Sequence, residues 1–312
     1  MFQVFEVSRR VAVVVAGFVW LAGTPAWAAG EQALKDVEVL STDAMAGRAA
    51  GSSGSALARA HILKRFAEIG LQPAHGGFEQ PFSFPAGTET RQGVNLVGKI
   101  TGTGGSDKVL AVSAHYDHLG VRKGEIYNGA DDNASGVAGL LAIAESFAKT
   151  PPRHTVIFAV VDAEEVGHRG SAAFVAAPPI PLARVALNLN LDMLSKSAKG
   201  ELYAAGGHHF PWLKPRLAAL AGKVPVTLKQ GHDGPPWTGD DDWTLASDHA
   251  AFHQAGVPWV YLGVEDHPEY HRPTDDFATV PRDFFARSVA SVVMAARSFD
   301  QDLDAMAKDA RR

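Results

Sequence analysis

A chain of 312 residues without a cysteine has no disulfide framework and no thiolate to act as nucleophile or ligand, so any metal must be held by His, Asp and Glu. Its 29 basic and 34 acidic residues give a net charge of −5, and no basic patch or charge block points to nucleic acid or an acidic surface as partner. A hydrophobic content of 46% suits one large domain with a substantial core.

The chain opens with Arg9 and Arg10, an apolar run of 13 residues over 11–23, and then Pro25-Ala26-Trp27-Ala28. A charged n-region, a short h-region and an A-x-A site predict a signal peptide over 1–28 and a mature domain over 29–312. The run is shorter than the ~20 apolar residues of a membrane span. No cysteine follows to carry a lipid, and Ser8-Arg9-Arg10-Val11 only faintly resembles a twin-arginine signal. The expected location is periplasmic or secreted, with no membrane attachment after cleavage.

Helices are expected over 31–47 and 54–70, the second with Ala58, Ile62, Phe66 and Ile69 on its apolar stripe and Gly70 as its stop. Strand-like runs follow at 94–100, 109–113, 156–161, 185–191 and 257–262. Several are apolar throughout, as in strands covered on both faces. A helix after Ser135 presents Val137, Leu140, Leu141 and Ala144. A last helix opening at Pro281 presents Phe285, Val289, Val292, Val293 and Ala296. The pattern predicts a single-domain α/β fold, a three-layer α/β/α sandwich around a largely parallel mixed sheet. One stretch, 229–246, is irregular and rich in Gly, Pro, Asp and Trp.

In an open α/β sheet, ligands bind beyond the carboxyl ends of the strands. There the chain places its acids and histidines. His115 and Asp117, at i and i+2, can face one side, and Asp117 is a natural orienting partner for the imidazole. Asp131 and Asp132 precede a helix start, whose partial positive charge keeps a carboxylate ionised. Glu164 and Glu165 follow the strand at 156–161. Neighbours in a regular strand point to opposite faces, so two adjacent glutamates can share a site only where alternation ends. Asp192 ends another strand, and Tyr270-His271 lies near the last helix. Singly, each has an ordinary reading: Asp131–Asn133 as a helix cap, Asp192 as a turn residue, His271 as one of 13 histidines.

Taken in order, "SAHYDHLG", "NGADDNASG", "DAEEVGHRGS", "NLDM", "SDHAAF" and "YHRPTDD" resemble the secreted di-zinc aminopeptidases typified by bacterial leucyl aminopeptidases. Glutaminyl cyclases and the transferrin receptor ectodomain are relatives. The resemblance runs from about Asp36 to the last helix. It implies two zinc ions per chain, one bound by His115 and Asp192, the other by Glu165 and His271, with Asp132 bridging. It also implies a metal-bridging water as nucleophile, Glu164 as general base and Tyr270 as donor to the oxyanion. His118, His249 and His267 match no ligand position and are read as structural or lining residues.

Two Zn²⁺ against Asp132, Glu165, Asp192 and one hydroxide give a neutral core, as a partly buried site requires. Three N/O ligands per ion with a solvent position are the pattern of catalytic zinc. The resemblance further implies a cis Asp132–Asn133 peptide and peptide substrates with a free N-terminus. The second domain usual in dimeric carboxypeptidase relatives is missing, which tilts against a carboxypeptidase, and a monomer is expected. Trp237 and Trp243 are candidate pocket residues, and Asp240, Asp241 and Asp242 could attract a cation or only aid solubility. The alternatives are a glutaminyl-cyclase-like acyltransferase with one zinc, a carboxypeptidase-type amidohydrolase, and a binding domain without catalysis.

Overall fold

The apolar runs do become strands, and the computed structural model describes them within residues 26–311, with side chains from Gly30 onward. The expected signal peptide lies outside the described residues except for 26–28, which open the first helix. In chain order the strands are β1 (Gln72–Pro73), β2 (Glu79–Ala86), β3 (Glu89–Ile100), β4 (Val109–His115), β5 (Gly120–Arg122) and β6 (Glu125–Tyr127). They continue with β7 (Thr155–Val161), β8 (Val185–Leu191), β9 (Glu201–Ala205), β10 (Thr227–Gln230) and β11 (Trp259–Gly263). The helices are α1 (Ala26–Leu40), α2 (Ser53–Ile69), α3 (Gly136–Lys149), α4 (Arg169–Ala176), α5 (Lys214–Ala221), α6 (His249–Gln254) and α7 (Arg282–Asp309).

Nine strands form one sheet in the order β1-β3-β7-β4-β8-β11-β9-β10, with β2 added on β3. The central four, β7, β4, β8 and β11, run parallel. The margins are antiparallel where β3 meets β7 and where β9 meets β11. Alternation along the buried strands splits the core. Leu110, Val112 and Ala114 of β4 pack with α1, α2, α3 and α7 on one face. Val109 and Ala111 face Phe174 of α4 and Phe252 of α6 on the other. This is the expected three-layer α/β/α sandwich.

One expected helix is broken. Instead of running over 31–47, α1 stops at Leu40, where the Ser41 hydroxyl donates back to the Val37 carbonyl. A 3-10 turn, Asp43–Arg48, follows, and Ala46, Gly47 and Arg48 take left-handed φ values of 45°, 66° and 52°. A Cβ on Gly47 would sit 2.4 Å from the Tyr127 carbonyl, so the turn needs glycine. Propensity favoured a helix through this segment; tertiary contacts override it. α2 matches its expectation, capped by the Ser52 side chain and by left-handed Gly70. Among the described residues, no helix is long and apolar enough to cross a membrane.

Candidate active site

The carboxyl ends of β4, β7, β8 and β11 meet on one rim, and each delivers part of a cluster. His115 is the last residue of β4 and Asp192 follows β8. Beyond β7, Asp162 turns the chain by accepting the amides of Val94 and Ala163 and the hydroxyl of Tyr116. Ala163 then takes a left-handed φ of 58°. Strand alternation ends at this residue, so Glu164 and Glu165 both reach the same cluster. A Cβ on Gly170 would lie 2.1 Å from the Asp162 carbonyl, which fixes the close approach of α4 to this turn.

Asp132 comes from the loop before α3, and its peptide bond to Asn133 is cis, as the resemblance implies. The Asp275 carboxylate accepts the amides of Asp131 and Asp132, and the Lys196 ammonium lies 2.8 Å from that carboxylate. Asn133 ties the loop to the end of β8 by donating to the Leu191 carbonyl and accepting the Met193 amide. The fully buried Arg48 donates to the carbonyls of Leu40, Tyr116, Asn128 and Gly129, so one guanidinium holds both the His115 and the Asp132 loops. Neither Arg48 nor Asp275 was singled out from sequence.

The two oxygens of Asp132 face different partners. Oδ1 lies 3.4 Å from His115 Nε2, which is itself 3.3 Å from Asp192 Oδ1. Oδ2 lies 3.1 Å from His271 Nε2, which is 3.4 Å from Glu165 Oε2. All five expected ligands are therefore brought together. His118, expected to be structural or lining, also enters: its Nδ1 is 2.6 Å from Glu165 Oε1 and 3.6 Å from Asp132 Oδ2. Among the described residues, two trios have donor atoms within 4.8 Å of one another, His115/Asp132/Asp192 and His118/Asp132/Glu165. The available signal was a second histidine three residues after His115.

The Asp117 carboxylate, expected to orient His115, lies 3.7 Å from its Nδ1. The same carboxylate accepts the amides of both Glu164 and Glu165, at 3.0 and 3.3 Å, and the Asp117 carbonyl receives His115 Nδ1 at 3.2 Å. Tyr270 stacks on His271 with ring centroids 3.9 Å apart and lines the cavity. His249 donates to the Trp243 carbonyl, and His267 turns to Asp131, so both support the site from outside the cluster.

The cluster floors a cavity of about 600 Å³. Trp243, Tyr261 and Met193 contribute to its walls, and Asp240, Asp242 and Asp266 to its acidic side; among the described residues, no Lys or Arg lines it. Trp237 packs on His232 instead of lining the cavity, and Trp243 stacks on His232 with ring centroids 3.9 Å apart.

Charges crowded here push one another. Burial raises Asp132, and Glu165 adds to it. Burial also raises Glu164 well above the usual carboxylate range against the opposing charge of His115, with Asp248, Asp192 and Glu165 adding to the rise. Glu165 is held well below that range because contacts with His118 and His271 overcome its burial. His271 is raised to about 10, hydrogen bonds to Asp132 and Glu165 overcoming the opposite effect of burial. Glu165 Oε1 and both ring nitrogens of His118 are buried without a directional hydrogen bond. Carboxylates facing one another in a buried site, with orphaned N and O donors between them, are the donor set of a borderline cation such as zinc.

Residues 95–296 match peptidase family M28. The chain belongs to that family. Among M28 relatives, aminopeptidase YwaD of Bacillus subtilis (strain 168) is 30% identical over 188 residues, 56% of this chain and 37% of that protein. The match thus spans little more than a third of that relative's length. A zinc aminopeptidase from Bacillus subtilis superposes with a TM-score of 0.68 at 17% identity, covering 86% of this chain and 95% of the other. A glutaminyl cyclase from Fimbriiglobus ruber does so at 0.69 and 19% identity, covering 86% and 95%. At these identities the two likenesses bear on the fold.

Proposed function

We propose that this M28 chain is a periplasmic or secreted aminopeptidase with two zinc ions, removing N-terminal residues from peptides. The observation that carries the reading is Asp132, whose two oxygens face two separate sets of donors. His115 and Asp192 would hold one ion, Glu165 and His271 the other, with His118 within reach of the second. Bound zinc supplies Lewis acidity, lowering the pKa of water and polarising a carbonyl.

The remaining work falls to the chain. Glu164 accepts the proton of the attacking water and returns it to the leaving amine, a role suited to a carboxylate whose burial raises its basicity. Asp117, bonded to the amides of both glutamates, keeps base and ligand in register. Glu164 and Asp192 receive the substrate's α-ammonium, and Tyr270 donates to the developing oxyanion. The apolar leader at 1–28 supports export.

The test is hydrolysis of a panel of aminoacyl nitroanilides and their N-acetylated counterparts by zinc-loaded protein. Free-amine substrates are cleaved, acetylated ones are not, and Glu164→Gln abolishes turnover. Hydrolysis of both forms alike defeats the aminopeptidase reading. A glutaminyl cyclase has the likeness in fold behind it. It uses one zinc, whereas this chain supplies donors on both sides of Asp132. Ammonia release from a peptide with N-terminal glutamine, without hydrolysis of the nitroanilides, would favour it.

A further inference from the structure

We propose that His168 is the positioning residue of the general base: its Nε2–H donates to one oxygen of Glu164 and leaves the other aimed at the metal cluster. This rests on the reading of Glu164 given above. The ring Nε2 lies 3.0 Å from Glu164 Oε1, whereas Glu164 Oε2 points the other way, 4.0 Å from His115 Nε2. The carboxylate is thus held at one oxygen and presented with the other.

The backbone aims the ring. Amides of Gly167 and His168 both donate to the Glu164 carbonyl at 2.8 Å, and the Arg169 amide donates to the Ala163 carbonyl at 3.0 Å. The turn brings residue 168 back over residue 164, four positions earlier. His168 occupies it with a left-handed φ of 56°, a region uncommon for residues with a Cβ and natural for glycine. Ser171 holds the His168 carbonyl with its hydroxyl, and Gly170 is locked against Asp162. The turn so held sets the ring against the Glu164 carboxylate.

The hydrogen bond serves both halves of the cycle. When water loses its proton, the new O–H bond forms at Oε2 while Oε1 still accepts from Nε2–H. When the amide C–N bond breaks, the same Oε2–H gives its proton to the amine nitrogen, so base and acid act from one face. His168 itself neither gains nor loses a proton. Its ring lines the cavity with 29% of the side chain exposed and belongs to neither ligand trio.

Two variants and two readouts test this. In zinc-loaded protein, His168→Ala lowers kcat roughly 10–100-fold, the worth of one hydrogen bond to a charged group. KM and zinc content stay at wild-type values, and His168→Gln, whose amide offers a donor at similar reach, recovers most of the rate. Wild-type kcat in His168→Ala, or zinc lost together with activity, overturns the proposal. Independently of activity, ¹⁵N NMR of the metal-free protein should show His168 as the Nε2–H tautomer, with a shift that moves in Glu164→Gln. A His168 resonance indifferent to Glu164→Gln overturns it as well. If wild-type enzyme cleaves no aminoacyl substrate, the aminopeptidase reading fails, and the nitrogen shift still decides whether His168 holds Glu164.

Discussion

Glu164 and Glu165 are neighbours in the chain and opposites in environment. Burial lifts the first, and histidine contacts draw down the second despite its burial. Carboxylates driven apart in this way suit different tasks. Glu164→Gln should keep its zinc and lose at least ~10²-fold in kcat, the lower range for general acid–base work. Glu165→Gln should lose zinc affinity first; metal loss equal in both variants, measured by equilibrium dialysis, would contradict the assignment. Asp117→Asn should cost roughly 10–100-fold in zinc affinity or activity, as partners behind a ligand do. Wild-type behaviour there would mean that the loop is held without it. His249 offers a pH test. It is wholly buried and burial lowers it to about 3, so the folded protein keeps it neutral while the unfolded chain protonates it near pH 6.5. The unfolded state binds the extra proton in that window, so stability falls as pH drops from 6.5 toward 3, by up to ~1.4 kcal/mol per unit from this group. Urea titration of the metal-free protein should show a shallower acid loss in His249→Gln; identical slopes would remove His249 as the cause. The clustering of the five residues expected as ligands was legible because each sits in a motif at a strand end or in a loop that follows one. His118 and His168 were not, since their places depend on where the loop backbones carry them, and no local periodicity encodes that.

The elements that carry these residues are secured by polar groups in the core. Arg48 is the case with the clearest consequence: four backbone carbonyls from three segments converge on one buried guanidinium. Burial lowers it to about 10, while Asp132, Asp275, Asp117 and Glu165 favour its charge. Arg48→Met leaves those acceptors without a donor at ~1–3 kcal/mol each, so a loss of at least ~3 kcal/mol in urea unfolding is expected, with weakened zinc binding. A wild-type unfolding midpoint would show the loops to be held otherwise. The buried parallel strands and the long last helix were readable from hydrophobic runs. The β2–β3 hairpin was seen only in its second half, because Pro81 and Pro85 and the exposure of β2 mask its alternation. The break after Leu40 was hidden as well. Its cause, the docking of Arg48 and Gly47 against loops 68 to 81 residues away, is tertiary.

At the scale of the whole molecule, the parallel centre of the sheet gathers acids onto one rim, and among the described residues Arg48 and Lys196 sit behind the loops that carry them while no Lys or Arg lines the cavity. Carboxylates buried together favour a bound cation, so zinc that binds the folded state alone should raise the melting temperature, the stabilisation growing with the logarithm of one plus its concentration over Kd. A melting temperature unmoved by chelation would mean that Arg48, Lys196 and protonated histidines suffice. The proposed function stands on Asp132 joining two metal positions. Native mass spectrometry of the zinc-loaded, desalted protein counts ions per folded chain directly. Two zinc ions on the wild-type chain, reduced in Glu165→Gln and kept in Glu164→Gln, is the predicted result. A single zinc at saturation, unchanged by Glu165→Gln, would contradict it.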